Sequence, residues 1–285
     1  MVRIFVICVM LFMASFAGAS GKSTYLREDS VMVVRLLSEA KTMPKGENPV
    51  LFFARKFIGK PYVAHTLEVN KKEQLVVNLR ELDCTTFVET VLALTMTAKE
   101  NNYSFKGYCD NLTKIRYQNG TLKDYSSRLH YFTAWIKDNV KMGIVDEVMG
   151  DTELFSGLQI VDATYMTKHS GSYKMLAGDT AMIRKITLME KDICGQKYRY
   201  IPNGNIQDTK ELRNIIHDGD VIAIVTSKKG LEISHLGFAV WRRDGLHLLN
   251  ASSLKHKVVE ERATLKNYLI GRKTALGVRV LRLKR

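Results

Sequence analysis

Leu82-Asp83-Cys84-Thr85-Thr86-Phe87-Val88-Glu89 sets a cysteine in the first turn of a helix, with Asp83 in position to cap it. The Asp83 carboxylate can accept from the free amides of Thr85 and Thr86. Phe87, Val91 and Leu94 then recur at helical spacing, which predicts an amphipathic helix running to about Ala98. The unpaired N–H groups and the positive end of the helix dipole point at a side chain in this position. That predicts a lowered thiol pKa and a nucleophilic Cys84. The alternative is a small buried core cysteine.

Upstream, Asp29-Ser30 opens a helix through Val31, Val34, Leu37 and Ala40. Asn48-Pro49 caps a second helix bearing Leu51, Phe52, Phe53 and Phe57. Two short strands, over residues 62–69 and 75–79, lead to Cys84. Downstream, residues 125–140 read as a helix with Leu129, Phe132 and Ile136 on one side, while residues 153–206 show few clear periods. Asp208 caps a helix ending near His217, and Asp218-Gly219-Asp220 turns the chain into Val221-Ile222-Ala223-Ile224-Val225, a buried strand. Further strands follow over residues 233–241, 246–251 and 277–283. Helices first and strands last predict an α+β fold with a segregated antiparallel sheet.

At 285 residues the chain suits one domain with an insertion or two small ones. Residues 1–19 read as a secretory leader: Arg3, an apolar run, then Ala17-Gly18-Ala19 with cleavage after Ala19. The run is too short for a comfortable membrane span and no later stretch approaches one, so the mature chain is expected to be exported, to periplasm or cell envelope, without stable membrane insertion. Removing the leader takes Cys8 and leaves Cys84, Cys109 and Cys194. At least one thiol then stays free, and nothing in the spacing specifies a Cys109–Cys194 bond. Neither Cys-x-x-Cys nor His-Glu-x-x-His occurs, so no cofactor or metal site is indicated. His65, His130, His169, His217 and His256 read as structural or surface residues. The net charge of +14 favours anionic partners, but Lys and Arg are spread along the chain without a nucleic-acid module. An anionic wall polymer or its peptide fragments fits an exported protein better than nucleic acid.

A cysteine nucleophile needs an imidazole to take its proton and a polar group to orient that imidazole. His235 projects from Ile233-Ser234-His235-Leu236-Gly237-Phe238-Ala239-Val240, a strand otherwise apolar or tiny, where a polar ring must find a partner. A four-residue turn, Arg242-Arg243-Asp244-Gly245, pairs Trp241 with Leu246, Ala239 with Leu248 and Gly237 with Asn250. Asn250 is then one diagonal step from His235 on the same face, within reach of an imidazole. His247 falls far from His235 in either plausible register and reads as solvent-facing.

Asp83-Cys84-Thr85-Thr86-Phe87-Val88, the Ser234-His235-Leu236-Gly237-Phe238 strand and Asn250-Ala251-Ser252-Ser253 resemble the NlpC/P60 superfamily of papain-like cysteine hydrolases. Asn78-Leu79, Ser127-Arg128-Leu129-His130-Tyr131-Phe132, Asp218-Gly219-Asp220 and His247-Leu248-Leu249-Asn250 resemble its DUF1460 branch of N-acetylmuramoyl-L-alanine amidases. The resemblance extends over nearly all of the mature chain. It implies a single domain over residues 20–285, a nucleophile helix packed on an antiparallel sheet, and residues 100–207 as a mostly helical and loop insertion covering the cleft. It further implies hydrolysis of the amide between the lactyl group of (anhydro-)N-acetylmuramic acid and L-alanine in peptidoglycan fragments, with Cys84 as nucleophile, His235 as base and Asn250 as its orienting group. A γ-D-glutamyl endopeptidase with the same triad, or a non-catalytic wall-binding protein, are the alternatives. The oxyanion would meet the Cys84 amide and a second donor, for which Tyr62 stands in the right place. Thr85 departs from the superfamily's common Asp-Cys-Ser-Gly and narrows the space beside the nucleophile. Arg128, read as helical, suits a substrate carboxylate or sugar; Tyr117 and Trp135 could stack on a sugar, with a core role favoured for Trp135.

Overall fold

Val221–Thr226 is buried along its whole length, and its alternation sends Val221, Ala223 and Val225 into one hydrophobic core and Ile222 and Ile224 into another. The sheet built around this strand is therefore covered on both faces. The computed structural model describes residues 23–284; the leader and Cys8 lie outside the described residues. In chain order the elements are β1 (Thr24–Tyr25), α1 (Arg27–Ala40), α2 (Pro49–Arg55), β2 (Val76–Val77), α3 (Cys84–Lys99), α4 (Phe105–Arg116), α5 (Phe132–Lys141), β3 (Val145–Val148), β4 (Gly157–Ile160), α6 (Tyr165–Lys168), α7 (Thr180–Ile193), β5 (Lys197–Pro202), α8 (Lys210–Ile215), β6 (Val221–Thr226), β7 (Ile233–Arg242), β8 (Gly245–Ser252), β9 (Lys257–Thr264), α9 (Leu265–Ile270) and β10 (Ala275–Leu283). Among the described residues no helix is long and apolar enough to cross a membrane.

The layout is α+β. An antiparallel sheet runs β4-β5-β10-β6-β7-β8-β9, with β3 also on β10. Three of these strands correct the sequence reading of residues 100–207 as helix and loop: β3, β4 and β5 extend the sheet. They are short and half-exposed, so they lack the apolar run that marks β6. Residues 62–69 are not a strand either; Pro61 and Tyr62 make only isolated bridges, and β2 is two residues long.

The helices pack by faces the spacing only partly foretold. In α1 the buried side chains are Asp29, Val33, Leu36 and Leu37, whereas Val31 and Val34 face water. Asp29 lies inside α1 rather than before it; one oxygen of its buried carboxylate accepts from the Leu26 amide at 3.1 Å, supplying the N3 half of a capping box, and the other from the Leu79 amide at 3.0 Å. Asn48 does cap α2, accepting from Val50 and Leu51 at 2.9 and 3.1 Å. Thr209, not Asp208, caps α8, and Asp208 pairs instead with Arg213.

The cysteine helix α3 is buried on nearly all sides rather than amphipathic, because α1, α2 and α4 cover it from one side and β7 and β8 from the other. Phe87 joins the layers, meeting Phe57 edge-on at 6.2 Å and Phe238 of β7 edge-on at 5.5 Å. Edge-to-face pairs add about 0.5–1.5 kcal/mol beyond their buried area. They fix the nucleophile's helix to the strand that carries His235.

Candidate active site

Asp83 caps α3 by a reciprocal pair. Its carboxylate accepts from the Thr86 amide at 2.8 Å, and the Thr86 hydroxyl accepts from the Asp83 amide at 2.9 Å. Cys84 follows as the first helical residue, and part of it remains accessible. The Leu236 amide of β7, the Thr85 hydroxyl and its own backbone N–H face the sulfur and favour its charged form, so the thiol lies beside the strand that carries His235.

The thiol is not poised as a thiolate. Burial, and then the neighbouring Asp83 carboxylate, push its pKa up to about 12, outweighing those three donors. The expected lowering by the helix end is thus reversed mainly by burial of the thiol, with the capping carboxylate of Asp83 adding to it. Burial also pushes the His235 imidazole below its ordinary value, with the Asn250 hydrogen bond opposing. Both shifts favour a neutral thiol beside a neutral imidazole.

The hairpin has the expected register, with Trp241 opposite Leu246 and Ala239 opposite Leu248, but a tighter turn. Arg242 pairs with Gly245, leaving Arg243-Asp244 as a two-residue loop. His235 Nε2 lies 2.9 Å from Asn250 Oδ1. Gly237 makes room for this: a Cβ there would stand 2.9 Å from the Asn250 Cβ and 2.8 Å from the Leu249 carbonyl oxygen. His247 is fully buried rather than solvent-facing, bonded to the Glu261 carbonyl and the Asp244 carboxylate at 3.0 Å each.

Two residues around this centre carried no signal in the sequence reading. Glu261 on β9 accepts from Asn250 Nδ2 at 3.3 Å and pairs with Lys255 through its other oxygen. Tyr268 on α9 stacks on His235 at 6.4 Å, with the Arg272 guanidinium 3.5 Å above its own ring. Neither β9 nor α9 was read as an element, so neither residue could be placed.

Tyr62 bridges Leu82, two residues before Cys84. Its phenol is raised to about 12 by burial and by the Cys84 and Asp83 charges. Arg128 is not helical; it follows a short 3-10 turn, Tyr125–Ser127, and α5 begins only at Phe132. It lines a cleft of 140 Å³ with Asp83, Thr85 and His130, but its guanidinium is engaged by Glu68 at 2.8 Å and Glu73 at 2.9 Å. Its Nε alone is buried without a partner among the described residues. Tyr117 and Trp135 are fully buried, the first bonded to Glu73 and the second stacked on Phe132, so neither offers a sugar platform. Cys109 and Cys194 are free thiols, as is Cys84.

The family model described as AmiA-like, N-acetylmuramoyl-L-alanine amidase-like, matches residues 52–276. The chain belongs to the AmiA-like family. An N-acetylmuramoyl-L-alanine amidase from Bacteroides uniformis ATCC 8492 is similar at 37% identity, covering 83% of this chain and 98% of its own, with a TM-score of 0.77. A Bacteroides fragilis protein provisionally named a xylanase is 35% identical over 81% of this chain and 98% of its own, with a TM-score of 0.75. The Legionella pneumophila protein LPG0564, carrying the DUF1460 family model, shares the fold at 22% identity and a TM-score of 0.67, covering 90% of this chain and 95% of its own. Among curated proteins none matches the chain. In this AmiA-like chain the matched span contains Tyr62, Cys84, Thr85, Arg128, His235 and Asn250 together.

Proposed function

We propose that this AmiA-like protein is a cysteine amidase of papain-like, NlpC/P60 type. In this reading it hydrolyses the amide between the lactyl carbonyl of (anhydro-)N-acetylmuramic acid and L-alanine in peptidoglycan fragments. The observation that carries the reading is the pairing of His235 Nε2 with Asn250 Oδ1 at 2.9 Å, His235 being on β7, the strand packed against α3, whose first residue is Cys84. A glycan hydrolase would instead use two free carboxylates. Here the nearest carboxylate, Asp83, is committed to capping α3.

In the proposed reaction the Cys84 sulfur attacks the lactyl carbonyl as its proton passes to His235 Nδ1. The tetrahedral oxyanion is met by the Cys84 amide and the Tyr62 hydroxyl. Collapse expels the amine of L-alanine, which takes its proton from His235, and water then releases the muramyl acid from the acyl-enzyme. Thr85 shapes the space beside the sulfur and Arg128 the cleft wall. With residues 1–19 read as a secretory leader, we place this activity in the cell envelope.

Mass spectrometry of a muropeptide digest tests the proposal. Wild type is expected to release L-alanine-led peptides and intact muramyl sugar, and Cys84→Ala to release neither while keeping its fold. A truncated stem still attached to sugar would mark an endopeptidase. Wild type that binds muropeptides without cleaving them would mark a wall-binding protein.

A further inference from the structure

A recess of 420 Å³ adjoins the cleft through Arg128. On its wall Glu73 holds the Arg128 guanidinium at 2.9 Å and Tyr125 stacks on it at 4.8 Å, while Arg128 itself lines the cleft beside Asp83 and Thr85. Its rim carries four exposed lysines, Lys71, Lys72, Lys123 and Lys174. The carboxylates of the same recess are already engaged: Glu73 by Arg128, Asp124 by Lys185, and Asp179 by the Met182 amide at the head of α7. Lys174 reaches the Glu68 carbonyl at 3.4 Å, whereas Lys71, Lys72 and Lys123 form no ion pair among the described residues. Four lysines therefore face three carboxylates, two of them already paired with Arg128 and Lys185, and the recess carries net positive charge behind Arg128, which lines the cleft.

Charge decides which half of the substrate it fits. With its lactyl carboxyl in amide linkage, the muramyl sugar is uncharged. The leaving peptide keeps its C-terminal carboxylate, and a γ-linked glutamate within it keeps a free α-carboxylate. Only the peptide half carries groups that lysines attract. We propose that the lysine-rimmed recess is the peptide-side subsite and selects stem peptides by their carboxylates. This rests on the amidase reading and deepens it, since it sets the sugar on the opposite side of Cys84.

The test compares a muramoyl tripeptide with free carboxyls against the same compound with its carboxyls amidated. An exposed ion pair is worth about two- to fivefold in affinity, so three lysines predict roughly a tenfold lower KM for the acid form. The preference should shrink as salt is added. The triple variant Lys71→Gln, Lys72→Gln, Lys123→Gln should lose it, with the change in KM rather than kcat and the melting temperature held. Equal KM values for both forms in wild type, or an undiminished preference in the triple variant, would overturn the proposal. If wild type releases no peptide at all, the amidase reading falls separately. Binding of the free tripeptide to Cys84→Ala then still reads the recess: salt-sensitive binding lost in the lysine variant sustains it, and no binding overturns it.

Discussion

Nε2 of His235 stands 2.9 Å from Oδ1 of Asn250, and this contact decides which ring nitrogen is left to serve the thiol. An amide oxygen only accepts, so Nε2 carries the proton and Nδ1 keeps the lone pair. Asn250 is itself fixed through Nδ2 to Glu261. Replacing Asn250 by Ala frees the ring and should lower kcat by about a hundredfold, at the low end of what positioned proton transfer supplies. Asn250→Asp keeps an acceptor oxygen and should recover part of the loss. Steady-state turnover of both variants checks this; equal losses would remove Asn250 from the orienting role.

The raised thiol and depressed imidazole make a second prediction, about timing. A resting thiolate–imidazolium pair would alkylate rapidly across mildly acidic and neutral pH. With the thiol pushed up to about 12 and His235 held below its ordinary value, iodoacetamide should react slowly at neutral pH and faster as pH rises, without a neutral plateau. The acid limb of kcat/KM should fall below the ordinary imidazole value of about 6.5, because His235 stays neutral to lower pH. An alkylation plateau at pH 5–8 would show instead that the proton has already moved in the free enzyme.

The parts of the site that could be read from the chain share a physical property: each is fixed by local rules. Asp83 caps because an acidic residue before a helix can accept from its free amides, and Asn250 faces His235 because a hairpin's register follows from its turn. What escaped depends on contacts distant in sequence. Arg128 looked free for substrate because Glu68 and Glu73 come from a loop some sixty positions earlier. The thiol's raised pKa could not be inferred because the number of layers closing over α3 is a tertiary quantity. The short strands β3, β4 and β5 escaped for the same reason, since they join the sheet at its periphery without an apolar run of their own.

Arg128 with its two carboxylates should behave as a structural unit before it behaves as a substrate group. Its side chain is 8% exposed, and that of Glu73 3%. Removing the cation strands buried negative charge, for which a loss of about 3–5 kcal/mol is typical. Arg128→Met is therefore expected to lower the urea midpoint markedly, and adding Glu73→Gln should restore part of it. Unchanged stability with a raised KM would return Arg128 to the role of carboxylate ligand.

His130, which lines the cleft, makes stability depend on acid. Its Nε2–H donates to the Tyr125 carbonyl at 2.7 Å, and burial followed by the Arg128 charge pushes its pKa down to about 3. The unfolded chain takes up this proton near pH 6.5 while the folded chain refuses it until far lower. The stabilisation is thus fully present above about pH 6.5 and is lost progressively as pH falls toward about 3. His130→Gln has no proton to accept, and its amide can still donate to the Tyr125 carbonyl. Melting temperatures across pH 3–8 should fall less steeply with acid for His130→Gln than for wild type, with His235 and the carboxylates held low by their partners, such as Asp124 and Glu260, supplying the slope that remains. Parallel curves for the two proteins would show that His130 takes up its proton at the same pH folded and unfolded.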